Sequence, residues 1–177
     1  IEQVEALYSL NNKLYAGLGN SADDAELWEW DGTTWVKIGG DGVNGSWLAG
    51  TYERVRSITA YNGNLYAGLG NSTTDGQVWR YDGTSWVMVG GASLAGSWTN
   101  QIEEVRSLAT FKGKLYAGTG YTANADANVW TYGDNGYLQS TASSFNTDWR
   151  HIAVTYDGTT MRMYIDGVLH SSQAKSL

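Results

Sequence analysis

Apolar and polar residues alternate along short segments of this chain, which is the period of a β-strand. Residues 56–61 and 64–70 show this alternation on either side of Asn62-Gly63, a pair typical of tight hairpin turns. Residues 77–82 and 85–91 form a second such pair around Asp82-Gly83. Because no stretch shows a 3.6-residue apolar period, we predict an all-β protein with almost no helix.

The same pattern occurs three times, at residues 4–54, 55–104 and 105–148. Its aromatic residues recur at intervals of 50 or 51 in three separate registers: Tyr15, Tyr66 and Tyr116; Trp28, Trp79 and Trp130; Trp47, Trp98 and Trp149. Four short antiparallel strands in about 50 residues are typical of a propeller blade. We therefore predict a single β-propeller-like domain over 1–177, with three four-stranded blades and a C-terminal hairpin at 149–177.

Glycine and aromatic positions within the repeats resemble kelch and galactose-oxidase-like propeller repeats over about residues 1–135. The glycine doublets at 39–40 and 90–91, and the pair Tyr81 and Trp86, carry this resemblance. Elsewhere the kelch pattern varies, since Gly68 and Gly70 are separated by one residue. The resemblance implies a propeller fold and implies no single activity.

The segment 149–172 has a different character. Its sequence, WRHIAVTYDGTTMRMYIDGVLHSS, is similar to the strand pair near the end of laminin-G-like, concanavalin-type jelly rolls. Residues 150–167 also align with the inner hairpin of a repeat, so a partial fourth blade is the alternative. Both interpretations predict an antiparallel hairpin that must pack on another sheet.

Composition narrows the function classes. The 177 residues contain no Cys and two His, which excludes disulfide scaffolds and disfavours a multi-histidine metal centre. The net charge of −7 is the wrong sign for wrapping nucleic acid. No apolar run approaches the length of a membrane span, so we predict no membrane insertion. With 9 Trp and 12 Tyr, the chain is rich in aromatic side chains that carry a polar group and suit partly solvated surfaces.

Three blades fall below the usual range of closed propellers, which have about 4–8. An open ring would expose two apolar blade faces. We therefore expect four blades closed by the tail, two chains that pool their blades as a dimer, or a piece of a longer chain. Of these, self-association is favoured.

Loops between second and third strands, and loops between blades, gather on one rim of a propeller. We predict that this rim binds a glycan, because Trp faces pack on sugar rings while carboxylates and amides bind hydroxyl groups. For the two loop tryptophans, Trp47 and Trp98, the alternative role is to fill the gap between blades. The predicted ligand-binding residues are Trp47, Trp98, Asn20, Asn71, Asp24, Asp75, Asp126, Glu53, Arg56, Glu103 and Arg106.

Several of these residues also have a second interpretation. Asp24, Asp75 and Asp126 recur at the same loop position, where turn capping is favoured over Ca²⁺ binding. No cofactor is expected, and Asp23, Asp24 and Glu26 are weak candidates for binding Ca²⁺. Arg56 and Arg106, with the glutamates that precede them, either line a central pocket or pair between blades.

The leading prediction is an extracellular or cell- or virion-surface module of bacterial or phage type that binds carbohydrate. The enzyme alternative is a glycoside hydrolase or polysaccharide lyase, whose acids would come from Glu53, Asp75 and Glu103. The structural alternative is a self-assembling propeller fragment without a ligand. Repeats supply acids at every blade, so the pattern favours binding over catalysis.

Overall fold

The computed structural model of the chain describes residues 3–21, 24–48, 52–72, 75–92, 94, 97–98, 102–120, 127–132 and 150–174. It divides into two compact units, Ile1–Tyr132 and Gly133–Leu177. In these described ranges the one helical element is the 3-10 turn Val43–Gly45. The predicted all-β class with almost no helix is confirmed. Among the same residues, no helix is both long and apolar enough to cross a bilayer.

The first unit contains three antiparallel sheets, in each of which every strand pairs with the next along the chain. The first sheet comprises β1 (Val4–Leu10), β2 (Lys13–Leu18), β3 (Glu26–Trp30) and β4 (Trp35–Gly39). The second comprises β5 (Val55–Tyr61), β6 (Asn64–Leu69), β7 (Gln77–Tyr81) and β8 (Trp86–Gly90). The third comprises β9 (Val105–Phe111), β10 (Lys114–Thr119) and β11 (Asn128–Tyr132). The rest of the predicted third repeat, 133–148, lies outside the described residues.

The hairpin turns form where the sequence places them. Asn62 and Gly63 have φ of 46° and 78°, the left-handed conformation that a tight two-residue hairpin turn requires. In the outer hairpin of the first sheet, the Asp31 carboxylate accepts hydrogen bonds from the backbone N–H groups of Thr33 (2.7 Å) and Thr34 (2.9 Å). Asp82 repeats this turn in the second sheet. Each turn therefore fixes the register of its strands locally.

The first strands of the three sheets are neighbours, since β1 lies against β5 and β5 against β9. Apolar side chains fill the spaces between successive sheets, with Leu27 and Trp86 in the first core and Val78 and Leu115 in the second. Gly68 permits this close approach, because a Cβ there would lie 2.7 Å from Cγ1 of Val105. The repeats therefore pack as successive sheets, each against the next.

The second unit contains a separate three-stranded antiparallel sheet, formed by β12 (Ile152–Tyr156), β13 (Thr160–Ile165) and β14 (Val168–Ala174). Asp157 and Asp166 stabilise its two ends: Asp157 accepts from the backbone of Thr159 and Thr160, and Asp166 from that of His151. The expected C-terminal hairpin is thus present as β12 and β13, and β14 extends it. Several apolar side chains of this sheet are exposed, among them Ile152, Val154 and Val168.

Candidate functional site

Polar side chains gather where the loop after β6 meets the segment that enters β5. Asn71 donates from Nδ2 to the carboxylate of Glu53. The negative charge of Glu53 helps to raise the pKa of Asp75, and the charge of Asp75 helps to raise the pKa of Tyr52. We call Tyr52, Glu53, Asn71 and Asp75 the second-loop cluster. Three of its members were predicted from the sequence, and Tyr52 is the addition.

The two carboxylates of the second-loop cluster have different environments. Asp75 is buried, and this burial, followed by the neighbouring charge of Glu53, raises the pKa of Asp75 to about 6. A hydrogen bond from the backbone of Ser72 opposes that rise. Burial and the charge of Asp75 also raise the pKa of the Tyr52 hydroxyl. The cluster therefore pairs an acid that titrates near neutrality with a second carboxylate.

The side-chain amide of Asn71 is only partly hydrogen-bonded. Its Nδ2 is used by Glu53, whereas its Oδ1 is buried and accepts no hydrogen bond from any described residue. A buried carbonyl oxygen without a donor is costly, by about 1–3 kcal/mol. A hydroxyl group of a bound molecule would satisfy this oxygen.

The equivalent loop of the first sheet is organised as a turn. The carboxylate of Asp24 accepts from the backbone N–H of Ser21 at 3.2 Å, and Asn20 accepts from Arg54 at 3.1 Å. Asp75 occupies the same turn, since its backbone N–H donates to the carbonyl of Ser72 at 3.0 Å. The turn-capping interpretation therefore describes both loops. Asp126, the third member of the series, lies outside the described residues.

The weak metal candidates are not brought together as a cation site in the part of the chain that the structure describes. Asp23 is outside that part, and Asp24 caps its own turn. Glu26 accepts from the indole of Trp28 at 2.7 Å and from Lys37 at 3.1 Å. No group of three or more acidic or histidine side chains is placed to hold a metal ion among the described residues.

Trp47 and Trp98 lie in the interior, each between two sheets. The Trp47 indole donates to the carbonyl of Ala25 at 2.7 Å and makes edge contacts with Trp79 and Trp86, at centroid distances of 5.8 and 5.2 Å. Trp98 donates likewise to the carbonyl of Gly76 at 2.7 Å. Both rings are buried, so this geometry favours the gap-filling role over contact with a sugar.

Charged residues connect the inner strands of all three sheets. Arg56 pairs with Glu5 at 2.7 Å and also with the fully buried Glu104. Arg106 pairs with the same glutamate at 2.6 Å. We call Glu5, Arg56, Glu104 and Arg106 the inner charge network. A cavity of about 250 Å³ is lined by Glu5, Arg56 and Arg106.

The inner charge network identifies the ion-pair partners of Arg56. The sequence left two roles open for Arg56, Arg106 and the glutamates that precede them, pocket lining or pairing between blades. Arg56 pairs with Glu5 and Glu104, while Glu53 joins the second-loop cluster. Glu103 is buried next to Gly70, whose added Cβ would lie 2.2 Å from the Glu103 carbonyl oxygen. The repeat spacing could have identified Glu5, because Glu5 lies at the position equivalent to Arg56 and carries the opposite charge.

Comparison with known families agrees with the C-terminal interpretation. Residues 108–176 match the model of the concanavalin A-like lectin/glucanases superfamily. The match includes the expected laminin-G-like segment at 149–172 and begins earlier, within β9. The kelch-like resemblance of the repeats stays a prediction. No curated protein matches the chain. Residues 108–176 are thus similar to a lectin-type superfamily, which is compatible with carbohydrate binding.

Proposed function

We propose that this protein is a glycan-binding module of an extracellular, cell or virion surface, of bacterial or phage type. The match of residues 108–176 to a lectin-type superfamily is the observation that carries this proposal. The acidic composition and the many Trp and Tyr residues agree with a neutral, hydroxyl-rich partner more than with a polyanion.

The second-loop cluster supplies the chemistry for a sugar site in the first unit. The carboxylate of Glu53 can accept hydrogen bonds from a ligand, and so can Oδ1 of Asn71, which accepts none from any described residue. Tyr52 adds a half-buried ring beside them. A small number of placed polar groups next to an aromatic surface is the usual composition of such sites. Asn20, Asp24, Asp126, Glu103 and Arg106 stay predicted ligand-binding residues.

Binding is tested with the full chain on a glycan array, followed by calorimetry on the best hit. Asn71→Ala removes the unsatisfied oxygen and should weaken binding by about tenfold. Asn64→Ala is the matched control, because Asn64 lies at the other end of β6 and bonds only locally, at 3.1 Å, to the carbonyl of Asn62. Equal affinity in both variants would move the site away from the second-loop cluster. Absence of any glycan hit would overturn the proposed function.

A hydrolytic function is the second candidate, supported by the pKa of about 6 of Asp75 beside Glu53. Glycosidases use one carboxyl group as proton donor and a second as base or nucleophile. Release of reducing ends from a polysaccharide panel tests this function. Turnover that Asp75→Asn and Glu53→Gln both abolish would support catalysis, whereas no turnover on the panel would leave binding alone.

We also propose that the three sheets are blades of a kelch-like propeller that a second copy completes. Equivalent residues differ sharply in exposure at the two ends of the first unit. Leu7 is 63% exposed where its counterpart Ile58 is 8% exposed, and Val129 is 75% exposed where Val78 is 4% exposed. Each inner counterpart is covered by a neighbouring sheet. The exposed positions therefore mark two apolar faces suited to further sheets of the same kind.

The mass in solution, measured by light scattering, tests this assembly. We expect a dimer that Val129→Glu converts to a monomer. Leu48→Glu is the control, because Leu48 is a 68% exposed loop residue outside the strands of all three sheets. A wild-type monomer would exclude the two-chain ring.

A further inference from the structure

The middle sheet of the first unit has one face that packs on the preceding sheet and one that packs on the following sheet. In this second sheet, Val55, Ile58 and Trp86 belong to the first core, whereas Tyr61 and Val78 belong to the second. We call these two surfaces the front face and the back face, and the repeat spacing of 50 or 51 residues defines the equivalent faces of the other two sheets. Both interfaces within the chain therefore join the back face of one sheet to the front face of the next.

The first and third sheets each have one of these faces exposed. On the front face of the first sheet, Val4 is 61% exposed, whereas its counterparts Val55 and Val105 are fully buried. On the back face of the third sheet, Phe111 is 60% exposed, whereas its counterpart Tyr61 is 6% exposed. The two exposed faces are thus the complementary halves of an interface that this chain makes twice.

A tryptophan of the front face makes the same comparison. Trp86 of the second sheet is buried, and its Nε1 donates to the carbonyl of Ile38 in the first sheet at 2.7 Å. Its counterpart in the first sheet, Trp35, is 44% exposed and contacts the ring of Trp30 at a centroid distance of 5.5 Å. Large apolar side chains exposed together on one face mark a protein–protein contact surface.

Charges at the inner strands indicate which of the exposed faces meet. Glu5, Arg56 and Arg106 occupy equivalent positions of β1, β5 and β9 and line one cavity of about 250 Å³. Across the first interface, Arg56 pairs with Glu5 at 2.7 Å while it also binds Glu104. Arg106 binds Glu104 as well, and its side chain is half exposed. A guanidinium at this position can therefore serve a carboxylate of the neighbouring sheet in addition to Glu104.

The two outermost members of this series have opposite charges. Contact between the third sheet of one copy and the first sheet of another would place Arg106 next to Glu5, as Arg56 lies next to Glu5 within the chain. Contact between two front faces would instead bring two copies of Glu5 together, and contact between two back faces two copies of Arg106. Because like charges across an interface oppose association, the contact of a back face with a front face is favoured.

We propose that two copies of this chain associate head to tail, with the back face of the third sheet of each copy against the front face of the first sheet of the other. This inference rests on the proposed assembly of two chains and specifies its geometry. A two-fold axis relates the two junctions, so both exposed faces of each copy are covered. The ring contains the three sheets of the first unit from each copy, which is within the usual range of about 4–8 blades.

Mixing two single-face variants of the full chain tests this pairing, with light scattering for the mass in solution and native mass spectrometry for the composition. Leu7→Glu places a charge on the front face of the first sheet, and Val129→Glu places one on the back face of the third; both positions are exposed, so the fold should be unchanged. Each variant alone should be monomeric, because every head-to-tail junction needs one intact face of each kind. An equimolar mixture should form a mixed dimer through the back face of the Leu7→Glu copy and the front face of the Val129→Glu copy.

The double variant Leu7→Glu/Val129→Glu is the control, since neither of its outer faces is intact and it should not pair with the wild type. A wild-type monomer would overturn the proposed assembly and the head-to-tail pairing together. If the wild type is a dimer and either single variant remains one, only the head-to-tail pairing is overturned, because contact between like faces would then suffice. A mixture that stays monomeric at the highest soluble concentration would also overturn it.

Arg106→Gln tests the charge pair between the copies. It should raise the dissociation constant of the dimer about threefold and weaken the dependence of that constant on salt. Arg162→Gln is the matched control, because it makes the same change in net charge in the second unit and should leave both quantities unchanged. Equal effects of the two substitutions would overturn the contact between Glu5 and Arg106.

Discussion

Trp47 and Trp98 provide a matched pair of core perturbations, because the same residue occupies the same place in two successive interfaces. Each indole donates at 2.7 Å to a backbone carbonyl, of Ala25 and Gly76 respectively. Their surroundings differ on one side. Trp47 contacts the rings of Trp79 and Trp86, whereas among the described residues Trp98 contacts the ring of Trp130 and borders a cavity of about 240 Å³.

We expect Trp47→Ala to lower the free energy of unfolding by about 3–5 kcal/mol, the usual cost of truncating a buried tryptophan. Trp98→Ala should cost less, for two reasons. Among the described residues it loses one aromatic pair fewer, and such a pair contributes about 0.5–1.5 kcal/mol beyond the buried area. The neighbouring cavity has also already removed part of the packing around the ring. The predicted difference between the variants is therefore at least about 1 kcal/mol.

Urea denaturation followed by far-ultraviolet circular dichroism measures both values, provided that the dependence on urea is the same in the two variants. Equal losses would show that the cavity is filled in solution. A larger loss for Trp98→Ala would refute the packing argument altogether. Weakened glycan binding in a stable, folded Trp47→Ala protein would instead return this residue to the binding surface.

Three further predictions concern charge, backbone packing and pH. Glu104→Gln leaves two arginines around a buried neutral group and should lower the free energy of unfolding by about 3 kcal/mol. Glu29→Gln, in a more exposed ion pair, should lower it by less than about 1 kcal/mol. Equal losses in urea titrations would contradict the inner charge network. Gly68→Ala should lower the free energy of unfolding by about 2 kcal/mol, since its Cβ would meet Val105 of the next sheet. The control is Gly118→Ala, whose Cβ would meet a serine hydroxyl that can rotate. Similar melting temperatures for the two variants would count against the stacking of sheets. The pKa of Asp75 is about 6 in the folded state and lower in the unfolded state, so the folded state binds more protons between about pH 4 and 6. Stability should therefore fall as the pH rises through that window. Asp75→Asn should flatten this part of the stability curve, and an unchanged curve would assign the effect to another group.

Much of the local structure was predictable because it depends on contacts close in sequence. Asn62-Gly63 forms its hairpin turn without help from the rest of the chain, as its left-handed φ angles show. Asp82 caps the next turn through residues only two and three positions away. Alternation of apolar residues defined the strands for the same reason, since side chains of a strand point alternately to its two faces.

The partners of the candidate site residues were less predictable, because side-chain contacts depend on how the sheets approach one another. Glu53 and Asn71 are 18 positions apart and contact each other across a loop, and Arg56 reaches Glu104 across 48 positions. The loop register suggested that Trp47 and Trp98 were equivalent, yet it gave no measure of their burial. Only the packing of the sheets decided that these rings fill the interior.

The sequence by itself determined the all-β class and the hairpin turns, since propensity and apolar alternation are properties of neighbouring residues. The tertiary structure decided which charges pair, which carboxylate is buried beside another, and which loop tryptophans fill the spaces between sheets. Those properties depend on distances between sheets, and distances between sheets are set by the packing of the whole unit rather than by any one segment.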